Sequence, residues 1–270
     1  MLSRALSKIH RAFSREANEV SIDVSETAGV RSLHLGSVTI QSAMRAKDPN
    51  ALELTYTRGM MCFLLFNPQV KRLLAIGLGG GSIPKYIHAY CPQITSRVIE
   101  INAQIINTAR SHFYLPDNDA RLEVIEDDGL KYLVSHEDAA DESAPQVLMI
   151  DAFDQYGIPP DFCTQGFFDN CAETLSHDGM LAINLWGSDK NFDVYLQRIE
   201  QSFSNQVLVL PTGKPGNIVV FGFKRLPNDL RIASLRSRAK ELEAQHKIEY
   251  LTFVEKLKEH NASTSNRLML

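Results

Sequence analysis

The chain has 270 residues, of which 44% are hydrophobic and 22% are charged, which suits one α/β domain with small additions or two modest domains. The formal net charge of −4 argues against a protein that holds nucleic acid through a general basic surface. The sequence has no secretory h-region and no long apolar span, so we expect a cytoplasmic protein with no integral membrane association.

The cysteines give no sign of a metal or redox centre, because they lack the close paired spacing of zinc-binding and redox-active motifs. We therefore expect no bound metal. Each cysteine is expected to fill a gap in the core as a small apolar residue. The four residues are Cys62, Cys91, Cys163 and Cys171.

The first 17 residues are basic, and their apolar side chains recur at helical spacing. Such a helix could lie on a membrane surface, serve as an organellar transit segment, or cover a neighbouring subunit or domain. We favour the last role, because a weakly amphipathic pattern of this length is a common coincidence.

The next part of the chain predicts strands and then a helix. Short apolar alternations between residues 20 and 40, separated by turn residues, predict small antiparallel strands. Residues 52–66 are mostly apolar and predict one largely buried helix that ends before Asn67-Pro68.

A glycine-rich turn opens the most informative part of the chain. Apolar residues 71–76 lead into Gly77-Leu78-Gly79-Gly80-Gly81, and a helical pattern follows. This order is typical of a buried parallel strand that opens a nucleotide site, because glycines let the backbone approach a ligand closely. The turn alone is weak evidence, and Ser82 stands where a dinucleotide-binding motif has its third glycine.

Acidic residues end the next three apolar runs. They are, in chain order, Glu100, the Asp127-Asp128-Gly129 turn, Asp151 and Asp154. Because parallel strands bring such ends to one edge of a sheet, we predict a nucleoside-binding pocket at that edge. Asp154 also has a plainer interpretation, as the acid that starts a loop or caps a helix.

The last two predicted strands of the sheet indicate the fold class. Residues 211–216, rich in glycine and proline, join apolar runs at 207–210 and 218–223 and predict an antiparallel hairpin. We therefore predict an α/β, Rossmann-like class I methyltransferase fold: a seven-stranded sheet with an antiparallel last strand, preceded by a small N-terminal β element.

We divide the chain into three parts. Residues 1–66 contain the basic helix, the small β element and a connecting helix. Residues 67–226 form the Rossmann-like nucleoside-binding catalytic domain. Residues 227–270 contain a charged helix, predicted within 228–260, and a tail whose last ten residues are expected to fray.

The order of these motifs resembles the spermidine synthase family over about residues 20–224. The motifs are Tyr56 in a buried helix, the glycine turn at 76–81, Glu100, Asp127-Asp128-Gly129, Asp151-Ala152-Phe153-Asp154, and Phe167-Phe168 before Asp178-Gly179. Residues 40–44 and 56–58 resemble a divergent bacterial, spermidine-synthase-like branch.

The resemblance implies a homodimeric polyamine aminopropyltransferase that uses decarboxylated S-adenosylmethionine as co-substrate, a small-molecule amine as acceptor, and no metal. It implies that Asp154 accepts a proton from the attacking amine with help from Tyr56. It also implies that Glu100 holds the ribose hydroxyls and Asp128 the adenine amino group. Further co-substrate contacts are implied for Gly77, Gly79, Gly81, Asp127, Gly129 and Asp151, and amine contacts for Gln41 and Tyr156.

The chain departs from that family's pattern at several positions. The aspartate of the family's turn is Gly80 here, and the histidine after the tyrosine is Thr57. Phe153 and Gln155 replace the serine or threonine and the proline that usually stand around the family's catalytic acid. Residues 211–217 contain no aromatic residue to line an amine channel.

Two other functions stay open from the sequence alone. The first is an S-adenosylmethionine-dependent methyltransferase, which Gly80 favours because an acid there would repel a donor that carries its own carboxylate. The second is a non-catalytic nucleoside-binding or scaffold protein, whose contacts would come from the terminal helices.

Overall fold

The computed structural model describes residues 21–37, 39–135, 142–154, 157–213 and 216–270. The predicted basic helix at residues 1–17 and the predicted site residue Tyr156 lie outside these ranges.

A small antiparallel sheet precedes the main sheet. It contains β1 (Ile22–Thr27), β2 (Val30–Leu35) and β3 (Ile40–Arg45) in that order. Ala28 and Gly29, both at positive φ, make the two-residue turn between β1 and β2, as hairpins of this kind require. The predicted N-terminal β element is therefore confirmed.

The main sheet has seven strands in the order β6-β5-β4-β7-β8-β10-β9. Their bounds are β4 Arg72–Ile76, β5 Thr95–Glu100, β6 Leu122–Glu126, β7 Val147–Ile150, β8 Met180–Trp186, β9 Val207–Gly213 and β10 Asn217–Phe223. The first five strands in this order pair in parallel, whereas β10 is antiparallel to both β8 and β9. This confirms the predicted class I methyltransferase type of sheet.

Helices cover both faces of this sheet. They are α1 Thr55–Met60, α2 Phe63–Phe66, α3 Ser82–Tyr90, α4 Ala103–Phe113, α5 Gly129–Ser135, α6 Gln165–Thr174, α7 Phe192–Ser202, α8 Ile232–His246 and α9 Tyr250–His260. Because strand side chains alternate between faces, the sheet separates two cores. One core contains α1–α4, α8 and α9, and the other contains α5, α6 and α7.

Side-chain caps begin two of the crossover helices, as expected for polar residues directly before a helix. The Oδ1 atom of Asn102 accepts a hydrogen bond from the backbone N–H of Gln104 at 2.9 Å. The Oγ1 atom of Thr164 accepts one from the N–H of Phe167 at 3.1 Å. These caps fix α4 and α6 against the sheet.

The prediction of one helix over residues 52–66 is wrong, because α1 and α2 are separate. Between them, Met61 donates to the carbonyl of Arg58 and Cys62 to that of Gly59, in the i→i−3 pattern of a tighter turn. All side chains of α2 are buried, so tertiary packing surrounds this helix on every side. Such a segment has no amphipathic pattern from which the break could be predicted.

The C-terminal part also differs from expectation. Lys247, at a φ of 56°, separates α8 from α9 where one helix was predicted. The last residues are not frayed: Leu268 is fully buried and its N–H donates to the carbonyl of Leu230 at 3.1 Å. None of the helices within the described ranges combines the length and hydropathy of a membrane span.

Candidate active site

The glycine turn connects β4 to α3 and lies against the end of β7. Gly77 has a φ of +93°, and a Cβ added there would collide with the carbonyl oxygen of Asp151. Gly79 and Gly81 also have positive φ. Glycine at these positions thus lets the backbone follow this path without steric conflict.

Glu100 joins the end of β5 to this turn. Its carboxylate accepts hydrogen bonds from the backbone N–H of Leu78 at 3.0 Å and of Asn102 at 2.9 Å. Burial raises the pKa of Glu100, and these backbone donors offset part of the rise. The carboxylate is therefore held in one orientation, with lone pairs left on both oxygens.

The acidic turn after β6 lies beside Glu100. Asp127 is exposed, and its backbone N–H donates to the carbonyl of Glu100 at 3.1 Å. Asp128 begins α5, since its Oδ1 accepts a hydrogen bond from the N–H of Leu130 at 3.0 Å. Gly129 is buried in the first turn of α5, where a Cβ would collide with Ile76.

A second group of polar side chains lies on the other side of β4, at the end of β7. The Tyr56 hydroxyl donates to Oδ2 of Asp151 at 3.2 Å, and the amide of Asn184 donates to Oδ1 at 2.9 Å. Asn217 in turn donates to Asn184 at 2.9 Å. Three strands and α1 thus contribute to one hydrogen-bonded group.

Burial governs the electrostatics of this group. Burial raises the pKa of Asp151, while the hydrogen bonds from Asn184 and Tyr56 counteract part of that rise. The pKa of Tyr56 is raised well above its usual value by burial and then by the negative charge of Asp151. The Tyr56 hydroxyl therefore keeps its proton at neutral pH and can donate it to the carboxyl group of Asp151.

Asp154 lies in the loop that follows β7. Its Oδ1 accepts a hydrogen bond from the N–H of Gly157 at 3.0 Å, and its own N–H donates to the carbonyl of Gly157 at 2.9 Å. The side chain of Gln41 donates to the carbonyl of Asp154 at 3.3 Å, while the carbonyl of Gln41 accepts from Tyr56 at 3.3 Å. Gln41, Tyr56, Asp151 and Asp154 are thus brought together.

The surroundings of Gly80 are tightly packed. A Cβ there would lie 3.0 Å from both the Phe113 ring and the Cβ of Ser42. Ser42 also accepts a hydrogen bond from the N–H of Gly80 at 2.8 Å. The glycine turn is therefore packed tightly between β3 and the end of α4.

The buried Lys85 links β3 to the end of α4, the two elements that pack against the glycine turn. Lys85 is 2% exposed, and its Nζ donates to the carbonyl of Phe113 at 2.6 Å and approaches Sδ of Met44 at 3.2 Å. Burial lowers the pKa of Lys85 to about 8. This contact ties α3, α4 and β3 together around the glycine turn.

Sequence reasoning missed several residues of this site. Asn184 is a polar residue inside an apolar strand, and a buried amide that needs a partner could have indicated a role. Ser42, Lys85 and Asn217 carried no local signal, because their partners are distant in the chain. Within the described ranges, no cluster of three or more His, Cys, Asp or Glu residues is arranged to hold a metal ion.

Comparisons with known proteins agree with this architecture. No protein-family model matches the chain. A polyamine aminopropyltransferase of Chromobacterium violaceum is 38% identical over 249 residues, which cover 92% of this chain and 94% of that protein.

Two solved structures share the fold. A spermidine synthase in complex with the transition state analogue AdoDATO has a TM-score of 0.68 at 18% identity, covering 89% of this chain and 84% of that one. Human methyltransferase-like protein 13 in complex with SAH has a TM-score of 0.65 at 24% identity, covering 72% of this chain and 93% of that one.

The structural similarities and the sequence similarity support different conclusions. The two structural likenesses, at low identity, concern the methyltransferase-like fold alone. The sequence likeness to the Chromobacterium enzyme extends over nearly the whole length of both proteins. The chain is therefore a transferase that belongs to the polyamine aminopropyltransferase family.

Proposed function

We propose that this chain transfers the aminopropyl group of decarboxylated S-adenosylmethionine to an amine such as putrescine and releases methylthioadenosine. Membership of the polyamine aminopropyltransferase family supports this reaction. The structural observation that carries the proposal is the Tyr56–Asp151 pair, which lies directly beside the glycine turn.

The donor's nucleoside is assigned to the edge formed by the ends of β4, β5 and β6. Glu100 would accept hydrogen bonds from the ribose hydroxyls, since its carboxylate is already oriented by two backbone donors. Asp128 would accept from the adenine amino group, with Asp127 and Gly129 shaping the turn. The glycine turn would let the backbone approach the sulfonium end.

The reaction itself is a displacement at carbon. The amine nitrogen attacks the methylene carbon bonded to sulfur, the carbon–sulfur bond breaks, and its electron pair neutralises the sulfonium. An alkyl amine has a pKa of about 10, so at neutral pH it must first lose a proton. A carboxylate within reach of the amine can orient it and accept that proton.

We assign the proton acceptor to Asp154 and the orienting role to Asp151 with Tyr56. The supporting observation is that Gln41 bridges these two parts of the site through its side chain and its carbonyl. Asp151 is partly buried, so when ionised its negative charge would act on an approaching ammonium with reduced screening by water. Gln41 and Tyr156 are proposed to contact the amine.

Two further features belong to the same proposal. We propose a cytoplasmic location, which the four free and buried cysteines support because reducing compartments keep thiols unpaired. We also propose a homodimer, and light scattering of the purified protein would test it.

Titration calorimetry with three ligands in parallel tests the donor. These are methylthioadenosine, S-adenosylmethionine and decarboxylated S-adenosylmethionine. We expect the decarboxylated donor to bind more tightly than the carboxylated one. A preference for S-adenosylmethionine would favour methyl transfer, and a failure of all three to bind would contradict a nucleoside site.

A further inference from the structure

One arginine connects the short helix that carries Tyr56 to the segment before it. Arg58 lies in α1, and its Nη1 donates to the carbonyls of Leu52 at 2.9 Å and Glu53 at 2.7 Å. Its Nη2 donates to Oγ1 of Thr55 at 3.2 Å. The guanidinium therefore fixes the way in which the chain enters α1.

The helix α1 depends on such contacts, because it is weakly determined by itself. It has six residues, and Leu54 at its N-cap offers no side-chain hydrogen bond. A short helix gains little from its own hydrogen bonds, since its first turn fixes several residues for few bonds. The position of Tyr56 is therefore set by what α1 contacts.

The C-terminal helical pair, α8 and α9, supplies the anion that holds Arg58. Nε of Arg58 donates to both carboxylate oxygens of Glu249, at 3.0 and 2.9 Å. Glu249 is the N-cap residue of α9, where the helix dipole favours a negative charge. The side chain of Arg58 is 23% exposed and that of Glu249 35% exposed, so water screens this pair less than a fully exposed one.

Two further contacts bring α1 against β9 and the start of α9. The hydroxyl of Tyr250, the first residue of α9, donates to the carbonyl of Met61 at 3.4 Å. A Cβ added at Gly59 would lie 2.6 Å from Cγ2 of Thr212 in β9, so α1 packs closely on that strand. A change at the start of α9 can therefore move α1 relative to the sheet.

The hydrogen bond of Tyr56 is sensitive to such a movement. Tyr56 precedes Arg58 by two residues on α1, and its hydroxyl donates to Oδ2 of Asp151 at 3.2 Å. This distance is longer than that of most O–H···O hydrogen bonds, so a small displacement of α1 would weaken the bond.

We propose that Glu249, acting through Arg58, is a positioning residue for the Tyr56 hydroxyl. The inference rests on the proposed function, in which Tyr56 and Asp151 orient the amine. Without the carboxylate of Glu249, the partly exposed guanidinium can turn toward water and release the carbonyls that precede α1. The C-terminal helical pair thereby contributes to the reaction.

Removal of the carboxylate tests this link, with a matched ion pair as the control. Glu255, also on α9, accepts two hydrogen bonds from Arg236, at 2.7 and 2.8 Å. We expect Glu249→Ala to lower kcat about 3- to 10-fold, with the KM for the donor unchanged. Glu255→Ala should keep the wild-type kcat and KM. Equal losses in both variants would indicate general destabilisation and would overturn the proposal.

A double-mutant cycle separates an effect through Tyr56 from an independent effect. The kcat is measured for the wild type, Glu249→Ala, Tyr56→Phe and the double variant. Because Tyr56→Phe removes the hydroxyl that Glu249 positions, adding Glu249→Ala to it should change kcat by less than about 2-fold. A double variant in which the two single losses multiply would overturn the proposal.

Carbon-13 NMR of the tyrosine Cζ atoms gives a readout that needs no turnover. The Cζ resonance responds to the hydrogen bonding of the attached hydroxyl. Among the 8 tyrosines of the chain, Tyr56 is identified by the signal that Tyr56→Phe removes. We expect Glu249→Ala to move this resonance and Glu255→Ala to leave it in place. An unmoved resonance in Glu249→Ala would overturn the proposal.

The two kinds of readout separate this inference from the proposed reaction. Movement of the Tyr56 resonance in Glu249→Ala, in a protein whose wild type forms no aminopropyl product, would support the link and contradict the reaction. Product formation by the wild type, with the Tyr56 resonance unmoved in Glu249→Ala, would support the reaction and contradict the link.

Discussion

The hydroxyl of Tyr56 donates to Oδ2 of Asp151 across 3.2 Å, although 95 positions of sequence separate the two residues. This bond connects α1, which precedes the main sheet, to the end of its central strand β7. It stabilises the ionised form of a carboxyl group whose pKa is otherwise raised by burial. The relationship makes the ionisation of Asp151 dependent on Tyr56.

Tyr56→Phe removes this stabilisation and should raise the pKa of Asp151 further. If the reaction requires ionised Asp151, activity is lost as pH falls through that pKa, so a higher pKa moves the loss to higher pH. We expect the acid limb of the kcat/KM profile to move to higher pH, with about a 10-fold loss of kcat/KM on that limb. Superimposable pH profiles for the variant and wild type would contradict this role.

Asp154→Asn tests the proton acceptor. The amide can still accept the hydrogen bond from Gly157, so the fold and the thermal midpoint should be unchanged. We expect kcat to fall about 100-fold or more, with donor affinity unchanged in calorimetry. Asp161→Asn, at an exposed carboxyl in the same region, is the control and should retain full activity.

Gly77→Ala tests the close approach of the glycine turn to β7. The added methyl would meet the carbonyl oxygen of Asp151 at a φ that alanine adopts only with strain. We expect a loss of about 3 kcal/mol or more in the free energy of unfolding, together with loss of donor binding.

Gly166→Ala is the matched control for that substitution. Gly166 lies in α6, and a Cβ there meets no atom within 4 Å. Alanine should stabilise the helix by up to about 1 kcal/mol. Urea denaturation of both variants checks the pair, and equal stabilities would contradict the steric account of Gly77.

Lys85 should make stability depend on pH in the alkaline range. Burial lowers its pKa in the folded state to about 8, against 10.5 for an ordinary lysine. Below about pH 8, Lys85 is protonated in both the folded and the unfolded state. Between pH 8 and 10.5, Lys85 keeps its proton in the unfolded state but has lost it in the folded state. The free energy of unfolding should therefore rise with pH in this range.

Lys85→Met removes this contribution and should flatten the rise in denaturation midpoint between pH 8 and 10. Lys240→Met, at an exposed position of α8, should leave the rise intact. Thermal melts across that range measure both. An identical slope in Lys85→Met and wild type would mean that Lys85 does not titrate in this window.

Local sequence pattern predicted the sheet, its hairpin and the acids at the strand ends. Strand periodicity and the glycine turn are local features, and tertiary contacts did not override them. The breaks in the two predicted long helices were missed because the local sequence pattern does not indicate them. At Lys247, for example, a lysine adopts a left-handed conformation that its sequence neighbours do not indicate.

For the same reason, the sequence pattern predicted only part of the site. Asp151 and Asp154 follow a predictable strand, whereas Tyr56 and Gln41 were named only through the family resemblance and Asn184 was missed, because these partners come from distant parts of the chain. Gly80 appeared from the sequence as a missing acid. The tight packing of Ser42 and Phe113 around it is a feature that no sequence pattern indicates.

The most direct test of the account is the identity of the product formed from decarboxylated S-adenosylmethionine and 1,4-diaminobutane. Mass spectrometry of the wild-type reaction should detect methylthioadenosine and the diamine lengthened by one aminopropyl unit, in equal amounts. Asp154→Asn should form little of either. A methylated amine formed from S-adenosylmethionine, with no aminopropyl product, would contradict the proposed reaction.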